Sequence, residues 1–380
     1  LSQDDFGTRE DISIERTNAE VGHDIIFILD ESVGANYLDI NNTKGVNTSL
    51  KEIYPNIDIV NYGYAVSIAN CSYSSNITLR YGGTRDGYKK IISSKPSIWQ
   101  YAQNAGLKTV YIDAQRTEGE LQNGMTVREL LNIDKFIQFD NIGIQNRDQE
   151  TANVLIDLIN NDTNEFVFIN KMGLHFPIHD KYPAEFLKYK PALPRGNWLD
   201  VSDTGLRTGF NGTPEEWVQY RNSYRNTIEW NVGEFFSKII KNADLNKSVI
   251  IYTSDHGQDL HERKNPGVNT HCSADPTIEE GLVPLVIIQG NSLKTLNWKK
   301  TLNDNKNKSS HYNIFPSILK LMKYDSLEVA KVYGNSLDVK TNDEFTFNKY
   351  WNARLGQKPK WEKINLDKMV SPPEEDFLKE

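Results

Sequence analysis

Cysteine is scarce in this chain of 380 residues, which has only Cys71 and Cys272. Two thiols cannot build a disulfide framework or a thiolate zinc cage. The plain reading is two isolated thiols, with a single bridge as the other possibility. Long apolar runs are also missing, since no stretch approaches the roughly 20 residues needed to cross a bilayer. Basic residues are not in excess: 43 Lys and Arg stand against 51 Asp and Glu, a net charge of −8, which argues against a nucleic-acid partner. No long block of like charge suggests a binding tail. Internal repeats and low-complexity linkers are absent as well. The chain opens on Leu1 rather than Met, without a basic and apolar signal pattern, so the expectation is a mature or trimmed form of a longer product. Asparagine is plentiful, and the Asn-x-Ser/Thr triplets starting at Asn41, Asn47, Asn70 and Asn76 read as chance rather than as glycosylation sites.

What is present is a series of short apolar runs rich in Ile and Val. They are Asp24–Asp30 (DIIFILD), Lys108–Asp113 (KTVYID), Glu165–Asn170 (EFVFIN), SVIIYTSD and LVPLVIIQ. Continuous runs of this length suit strands buried on both faces. Helical stretches separate them, around SIWQYAQNAG and DQETANVLIDLINN. The alternation predicts an α/β fold with a mostly parallel central sheet and helices on both faces. Thr213-Pro214-Glu215-Glu216 marks a helix start, with an N-cap, a proline at the first helical position and a capping-box glutamate. The stripe Trp217, Tyr220, Tyr224, Ile228, Val232, Phe235 and Ile239 then reads as core packing on a helix reaching to about Lys241. The last 40 or so residues are polar and read as surface loops with little regular structure.

Open α/β sheets gather their chemistry at the carboxyl ends of strands. The first strand ends Asp30-Glu31-Ser32, a later one ends Asp255-His256-Gly257, and EFVFINKMGLHFPIH ends with His175 and His179. A polar excursion then carries Asn269-Thr270-His271-Cys272. One acidic strand end is commonly just a cap. Several ending in Asp, Glu or His point to a metal centre, and carboxylates with an imidazole suit zinc or manganese better than calcium or magnesium. The Ser-rich turn Ala69–Gly83 (ANCSYSSNITLRYGG) supplies hydroxyls at a helix start, where partial positive charge favours an oxyanion or a phosphate. An ordinary serine N-cap is the other reading of that turn.

FILDES, CSYSSNITLR, HFPIHDKYP, YTSDHGQDL and NTHCSADP stand in the order found in bacterial phosphoethanolamine transferases, of the alkaline-phosphatase and sulfatase superfamily. The chain resembles that family from Asp24 to Met322. The resemblance implies zinc held by Glu31, Asp255 and His256, completed by Ser75 as the nucleophile four residues after Cys71. It implies that His175 and His271 face the phosphoryl group and can hold a second zinc, with manganese the less suitable metal. It also places Gln115 and Asn76 at the substrate. Ser74 and Thr78 lie within a small shift of Ser75, the family nucleophile is usually Thr, and a lysine expected after Asp113 is missing. No Cys or Ser followed by x-Pro-x-Arg, the mark of the sulfatases proper, occurs around Cys71 to Arg80.

The activity so implied is transfer of phosphoethanolamine from phosphatidylethanolamine to a hydroxyl or phosphate of a surface glycolipid, such as lipid A or lipooligosaccharide core, through a covalent phosphoserine. The alternatives are a glycerol-phosphate transferase or phosphodiesterase of the same superfamily, and an inactive glycan- or metal-binding module. Relatives work on the periplasmic face of the inner membrane behind a membrane anchor. Residues 1–22 are then expected as a connecting segment, 23–340 as the catalytic domain and 341–380 as a C-terminal surface tail. An oxidising periplasm favours pairing of Cys71 with Cys272.

Overall fold

A computed structural model describes residues 8–196 and 209–379. Eleven strands occur among them: β1 Asp24–Asp30, β2 Ile57–Val66, β3 Lys108–Asp113, β4 Lys135–Ile137, β5 Glu165–Asn170, β6 Tyr189–Lys190, β7 Ser248–Ser254, β8 Leu282–Gly290, β9 Thr346–Asn348, β10 Trp361–Lys363 and β11 Leu378–Lys379. Seven form one sheet in the order β2-β8-β7-β1-β5-β3-β4. The five from β7 to β4 run parallel, and β8 is antiparallel to both its neighbours. β1 is central and wholly buried. Its Ile25, Phe27 and Leu29 enter one core and Ile26 and Ile28 the other, as the two-residue period of a strand requires. Each such side chain contributes about 1.5–3 kcal/mol as an upper figure.

Helices 72–81, 98–104 and 314–321 cover the first face, and helices 147–160, 214–228 and 235–242 the second. Ser97 caps the 98–104 helix in a capping box, and so does Thr213 at Pro214. The long aromatic stripe is buried as expected, yet the helix is not uniform, because a π-helical turn at Glu229–Glu234 joins its two α segments. Among the described residues, no helix is long and apolar enough to cross a membrane.

The structure adds to the sequence reading in three places. β2 and β4 were not foreseen, and β2 carries an irregularity between Asn61 and Tyr64 that interrupts its alternation. Of the expected connecting segment, residues 1–7 lie outside the described residues, and the remainder packs on the domain: Ile14 and Val21 are buried and Arg16 bridges to Tyr324. The polar end of the chain has little regular structure beyond the short β9, β10 and β11, and it is anchored at several points. Phe347 is buried, Arg85 grips Asp343 with two nitrogens, Arg221 does the same to Asp376, and β11 pairs with β6. Charge-assisted bidentate pairs fix geometry that composition does not reveal.

Candidate metal centre and active site

Parallel pairing in register puts the ends of β1 and β7 side by side, with Asp30 opposite Ser254. The next residues are therefore delivered to one point. Glu31, Asp255 and His256 are buried and each offers a ligand atom within 4.8 Å of the other two. Their posture is set by the backbone. Ser32 adopts φ +61°, which turns the chain so that its N–H donates to Asp255 Oδ1 at 3.0 Å and its hydroxyl to Glu31 Oε1 at 2.9 Å. A non-glycine residue held there is a local strain kept by its surroundings. Tyr224 reaches across from the 214–228 helix and donates to the Ser32 carbonyl at 2.6 Å. His256 Nδ1 lies 2.8 Å from the Gly257 carbonyl, which can only accept. That bond places a hydrogen on Nδ1 and turns Nε2 toward Glu31 and Asp255, at 3.6 and 3.5 Å, as the nitrogen a metal would take in place of a proton.

Electrostatics agree with a cation site. Burial pushes the Asp255 carboxyl up to about 7, with the charge of Glu31 adding to it. Burial alone would also raise Glu31, but His256, His175 and His271 outweigh it and hold Glu31 well below its ordinary value. His256 is raised to about 9 against its burial by Asp255 and Glu31. Asp255 Oδ2 is buried without a hydrogen-bond partner among the described residues. Two carboxylates and one imidazole in that space fit a divalent ion with oxygen and nitrogen donors, zinc among the best.

The hydroxyl at this cluster is Ser72, not Ser75. Helix 72–81 starts at Ser72 with Cys71 as its N-cap, four residues earlier than a start at Asn76 would have it. Ser72 Oγ lies 3.4 Å from Glu31 Oε1 and 3.3 Å from His256 Nε2. Ser75 is fully buried and its hydroxyl turns to the Ala69 carbonyl at 3.4 Å. The expectation of Ser75 as metal ligand and nucleophile therefore meets a different geometry, since three residues along a helix swing the side chain onto another part of the surface. Thr78 bonds the Ser74 carbonyl. Asn76, expected at the substrate, donates to the Ser72 carbonyl at 3.0 Å. Gln115 is likewise taken up by protein: its amide nitrogen donates to Glu31 Oε2 at 3.1 Å and to the Lys171 carbonyl at 2.7 Å. It steadies Glu31, as a partner of a carboxylate that holds a metal would.

His271 stacks on His256 with ring centres 4.4 Å apart and 17° between planes. Burial and the neighbouring His256 lower it to about 3. His175 Nδ1 sits 2.8 Å from the Phe176 carbonyl, so that nitrogen donates. His179 turns to Asp180 at 3.5 Å. Cys71 and Cys272 form a disulfide, which overturns the reading of isolated thiols and ties the N-cap of the 72–81 helix to the loop of His271. Asn70 is buried against Glu280 and the Ser273 carbonyl, so its triplet serves packing.

One group went unnoticed in the sequence. Lys171 is fully buried and donates to Asp30 Oδ2 at 2.7 Å and to the Asn231 carbonyl at 2.5 Å. Asp30 in turn accepts the Glu31 N–H at 3.0 Å. Gly173 makes room for this contact, because a Cβ there would meet Asp30 Oδ1 at 2.3 Å. A lysine directly after a buried strand was the available signal.

The family model described as Sulfatase matches residues 23–324. The chain belongs to the sulfatase family. Over 128 residues it is 26% identical to the Kdo(2)-lipid A phosphoethanolamine 7''-transferase of Escherichia coli (strain K12), a match spanning 34% of this chain and 20% of that relative. The C-terminal periplasmic domain of EcEptC from Escherichia coli, solved also in complex with Zn, superposes with a TM-score of 0.69 at 15% identity, over 94% of this chain and 96% of that one. The soluble domain of lipooligosaccharide phosphoethanolamine transferase A from Neisseria meningitidis gives a TM-score of 0.62 at 16% identity, over 85% and 96% of the two chains. These likenesses place this sulfatase-family chain in the alkaline-phosphatase and sulfatase fold.

Proposed function

We propose that the chain is the catalytic domain of a zinc-dependent transferase. It moves phosphoethanolamine from phosphatidylethanolamine to a hydroxyl or phosphate of a bacterial surface glycolipid, at the periplasmic face of the membrane. The observation that carries the reading is Ser72 Oγ at 3.3–3.4 Å from two donors of a buried three-ligand cluster. The named activity of the Escherichia coli relative and the Zn-bound neighbour support it.

Glu31, Asp255 and His256 would hold the metal, which when bound supplies a Lewis acid that lowers the pKa of a coordinated hydroxyl. Ser72 begins the helix, so the oxyanion it forms and the phosphoryl oxygens it meets lie at the positive end of the helix dipole. Ser72 Oγ bonds to phosphorus as the bond to the diacylglycerol oxygen breaks, which leaves phosphoethanolamine on the serine. The acceptor oxygen then displaces Ser72 in a second in-line step.

The two histidines divide the remaining work. Thr270 Oγ1 is 3.1 Å from His271 Nδ1. With the hydroxyl donating there, His271 Nε2–H is free to donate to a phosphoryl oxygen. His175 keeps its hydrogen on Nδ1 and offers Nε2 as an acceptor for the incoming hydroxyl's proton, or as a ligand to a second zinc.

The test is intact-mass analysis and peptide mapping of the zinc-loaded protein after incubation with phosphatidylethanolamine, with released diacylglycerol assayed in parallel. A phosphoethanolamine adduct on the Ser72 peptide is expected, and Ser72→Ala should lose adduct and transfer together while Ser75→Ala retains both. An adduct at Ser75 would return the nucleophile to the family offset from Cys71. Transfer without any adduct would remove the covalent step. A glycerol-phosphate adduct from phosphatidylglycerol, with none from phosphatidylethanolamine, would move the chain to another donor.

A further inference from the structure

The segment SSHYNIFPSILKLM, Ser309 to Met322, lies inside the family match, and none of its residues takes part in the mechanism proposed. His311 is buried in the short turn His311–Asn313 that leads into the 314–321 helix. The turn is fixed without help from the ring. Ser310 Oγ accepts the Tyr312 N–H at 3.2 Å and donates to Asp343 Oδ2 at 2.7 Å, while the Ser310 N–H donates to Asn313 Oδ1 at 2.9 Å. The Val66 N–H donates to the Ser309 carbonyl at 3.1 Å. The imidazole is therefore carried on a rigid base.

Each ring nitrogen meets partners whose roles are fixed. Nδ1 lies 3.2 Å from the Ile68 backbone nitrogen, and an amide N–H only donates. Nε2 lies 2.9 Å from the Ser254 carbonyl, which only accepts. Nε2 is also 3.2 Å from Thr253 Oγ1, whose single hydrogen goes to the Pro284 carbonyl at 2.6 Å, so this hydroxyl accepts as well. One neutral tautomer satisfies all three contacts, with hydrogen on Nε2 and a lone pair on Nδ1. It is the reverse of His256, which keeps a hydrogen on Nδ1. Burial lowers the His311 imidazole to about 3 against the pull of the Ser254 bond, in keeping with a ring that stays neutral.

The partners belong to the two halves of the site. Ser254 ends β7 and hands over to Asp255 and His256. Ile68 follows β2 and leads through Ala69, Asn70 and Cys71 to Ser72. In the sheet β8 lies between β7 and β2, so the ladder joins those strands only through β8. The His311 ring spans that gap at the end where the cluster sits.

We propose that His311 is a positioning residue that sets the distance between the Ser72 hydroxyl and the Asp255–His256 strand end. The role given to Ser72 rests on the proposed transfer reaction, whereas the bridge and its tautomer do not. Other bonds hold each half and bound the effect of losing the ring. The Cys71–Cys272 disulfide, the Cys272 N–H on the Asn70 carbonyl, Glu280 on Asn70, and the Asn348 N–H on the Ile68 carbonyl at 2.8 Å tie the Ser72 loop to β9 and to the loop of His271. The Asp255 N–H donates to the Asp30 carbonyl at 2.9 Å and its carboxylate accepts from Ser32, so the ligands also keep their places. What the ring adds is the register of one half against the other. In-line attack tolerates little error in that register, since a misplacement of about 1 Å costs about 100-fold in rate.

The test compares His311→Phe, which keeps a flat ring and loses every bond, with His311→Gln, whose amide offers both an acceptor and a donor. On the zinc-loaded full chain, kcat for transfer from phosphatidylethanolamine should fall at least about tenfold in His311→Phe, with KM unchanged. His311→Gln should regain most of the lost rate. Zinc affinity, read by competition with a chromophoric chelator, should be unchanged in both variants. Wild-type kcat in His311→Phe overturns the proposal. So does a His311→Gln variant as slow as His311→Phe, because only the shape of the ring would then matter. A fall in zinc affinity that matches the fall in kcat also overturns it, because the ring would then hold the ligands and not the spacing.

A second measurement uses the wild-type chain and decides alone if His311→Phe does not fold. In ring 15N–1H spectra of the zinc-loaded protein at neutral pH, His311 should carry hydrogen on Nε2 only. Nitrogen–nitrogen coupling across the hydrogen bond should link its Nδ1 to the Ile68 amide. The signals are identified by their loss in His311→Gln. Hydrogen on Nδ1, or no coupling to Ile68, overturns the proposal. Absence of transfer by the wild-type chain, with the ring signals as stated, would refute the transferase reading and leave the bridge standing.

Discussion

Removing the disulfide by Cys71→Ala with Cys272→Ala probes both stability and the site. The bond joins residues separated by 201 positions, so it constrains a large part of the unfolded chain. The loop-closure relation for a ring of that size gives about 5 kcal/mol at room temperature, at the top of the usual range. The entropy of unfolding for a chain of 380 residues comes to about 0.8 kcal/mol per degree, so the expected fall in Tm is about 6 °C. The site should suffer less than the fold. The loop of His271 is also pinned by the Cys272 N–H to the Asn70 carbonyl at 2.8 Å, and by Glu280, which accepts from Asn70 at 2.7 Å and from the Ser273 N–H at 3.2 Å. Turnover at a temperature well below the transition should therefore fall by less than about tenfold, the cost of one hydrogen bond. Calorimetry with saturating zinc, and transfer assays on the same preparation, read the two effects. A Tm shift under about 2 °C would show that the bond constrains little that the unfolded chain does not already constrain. A loss of all activity with an intact fold would show that Asn70 and Glu280 do not hold the loop.

Asp255→Ala should lower zinc affinity by at least about 100-fold, since even the outer partners of metal ligands cost 10–100-fold, and competition with a chromophoric chelator measures it. Lys171→Met should destabilise the chain by about 3–5 kcal/mol in denaturant unfolding, because it leaves Asp30 buried without its cation, whereas a change below about 1 kcal/mol would mean that Asp30 simply takes up a proton. Asp24 is raised to about 7 chiefly by burial. Its folded value thus lies above its unfolded one, so the stability it contributes is fully present below about pH 4 and is lost as pH rises through about 7. Asp24→Asn should remove that slope and gain a few kcal/mol near pH 8, and an unchanged pH profile of stability would refute the assignment.

The buried strands could be read because each is a continuous run of Ile, Val and Phe, and the capped helix at Thr213 because its signals are local. β2 could not, since Asn61 and Gly63 fall where its register shifts. Glu31, Asp255 and His256 stood out because a strand end makes their position predictable in one dimension. Ser72 did not stand out, since three serines follow one another within CSYSS apart from a single Tyr, and no side-chain cap bond at Cys71 marks where the helix begins. An offset counted from Cys71 selects Ser75, but only the turn of the helix decides which hydroxyl meets the cluster. Gln115 and Lys171 work through carbonyls and carboxylates far away in sequence, and the Cys71–Cys272 bond spans half the chain. Such contacts leave no periodic trace. The polar composition of residues 341–379 likewise conceals the paired Asp343 and Asp376 that anchor them.

β1 and β7 pair along their whole length in the middle of the sheet, and both are fully buried. Openings in a folded protein start at edges and loops, where little surface must be exposed, and reach central strands only near the free energy of global unfolding. The three candidate ligands follow directly on these strands and therefore belong to the part of the molecule that opens last. Exchange of a bound metal should follow the slow clock of the central sheet, and access of substrate the fast clock of the loops. A chelator would then strip the site at a rate that climbs with denaturant as unfolding does, and raising its concentration would soon cease to hasten the loss.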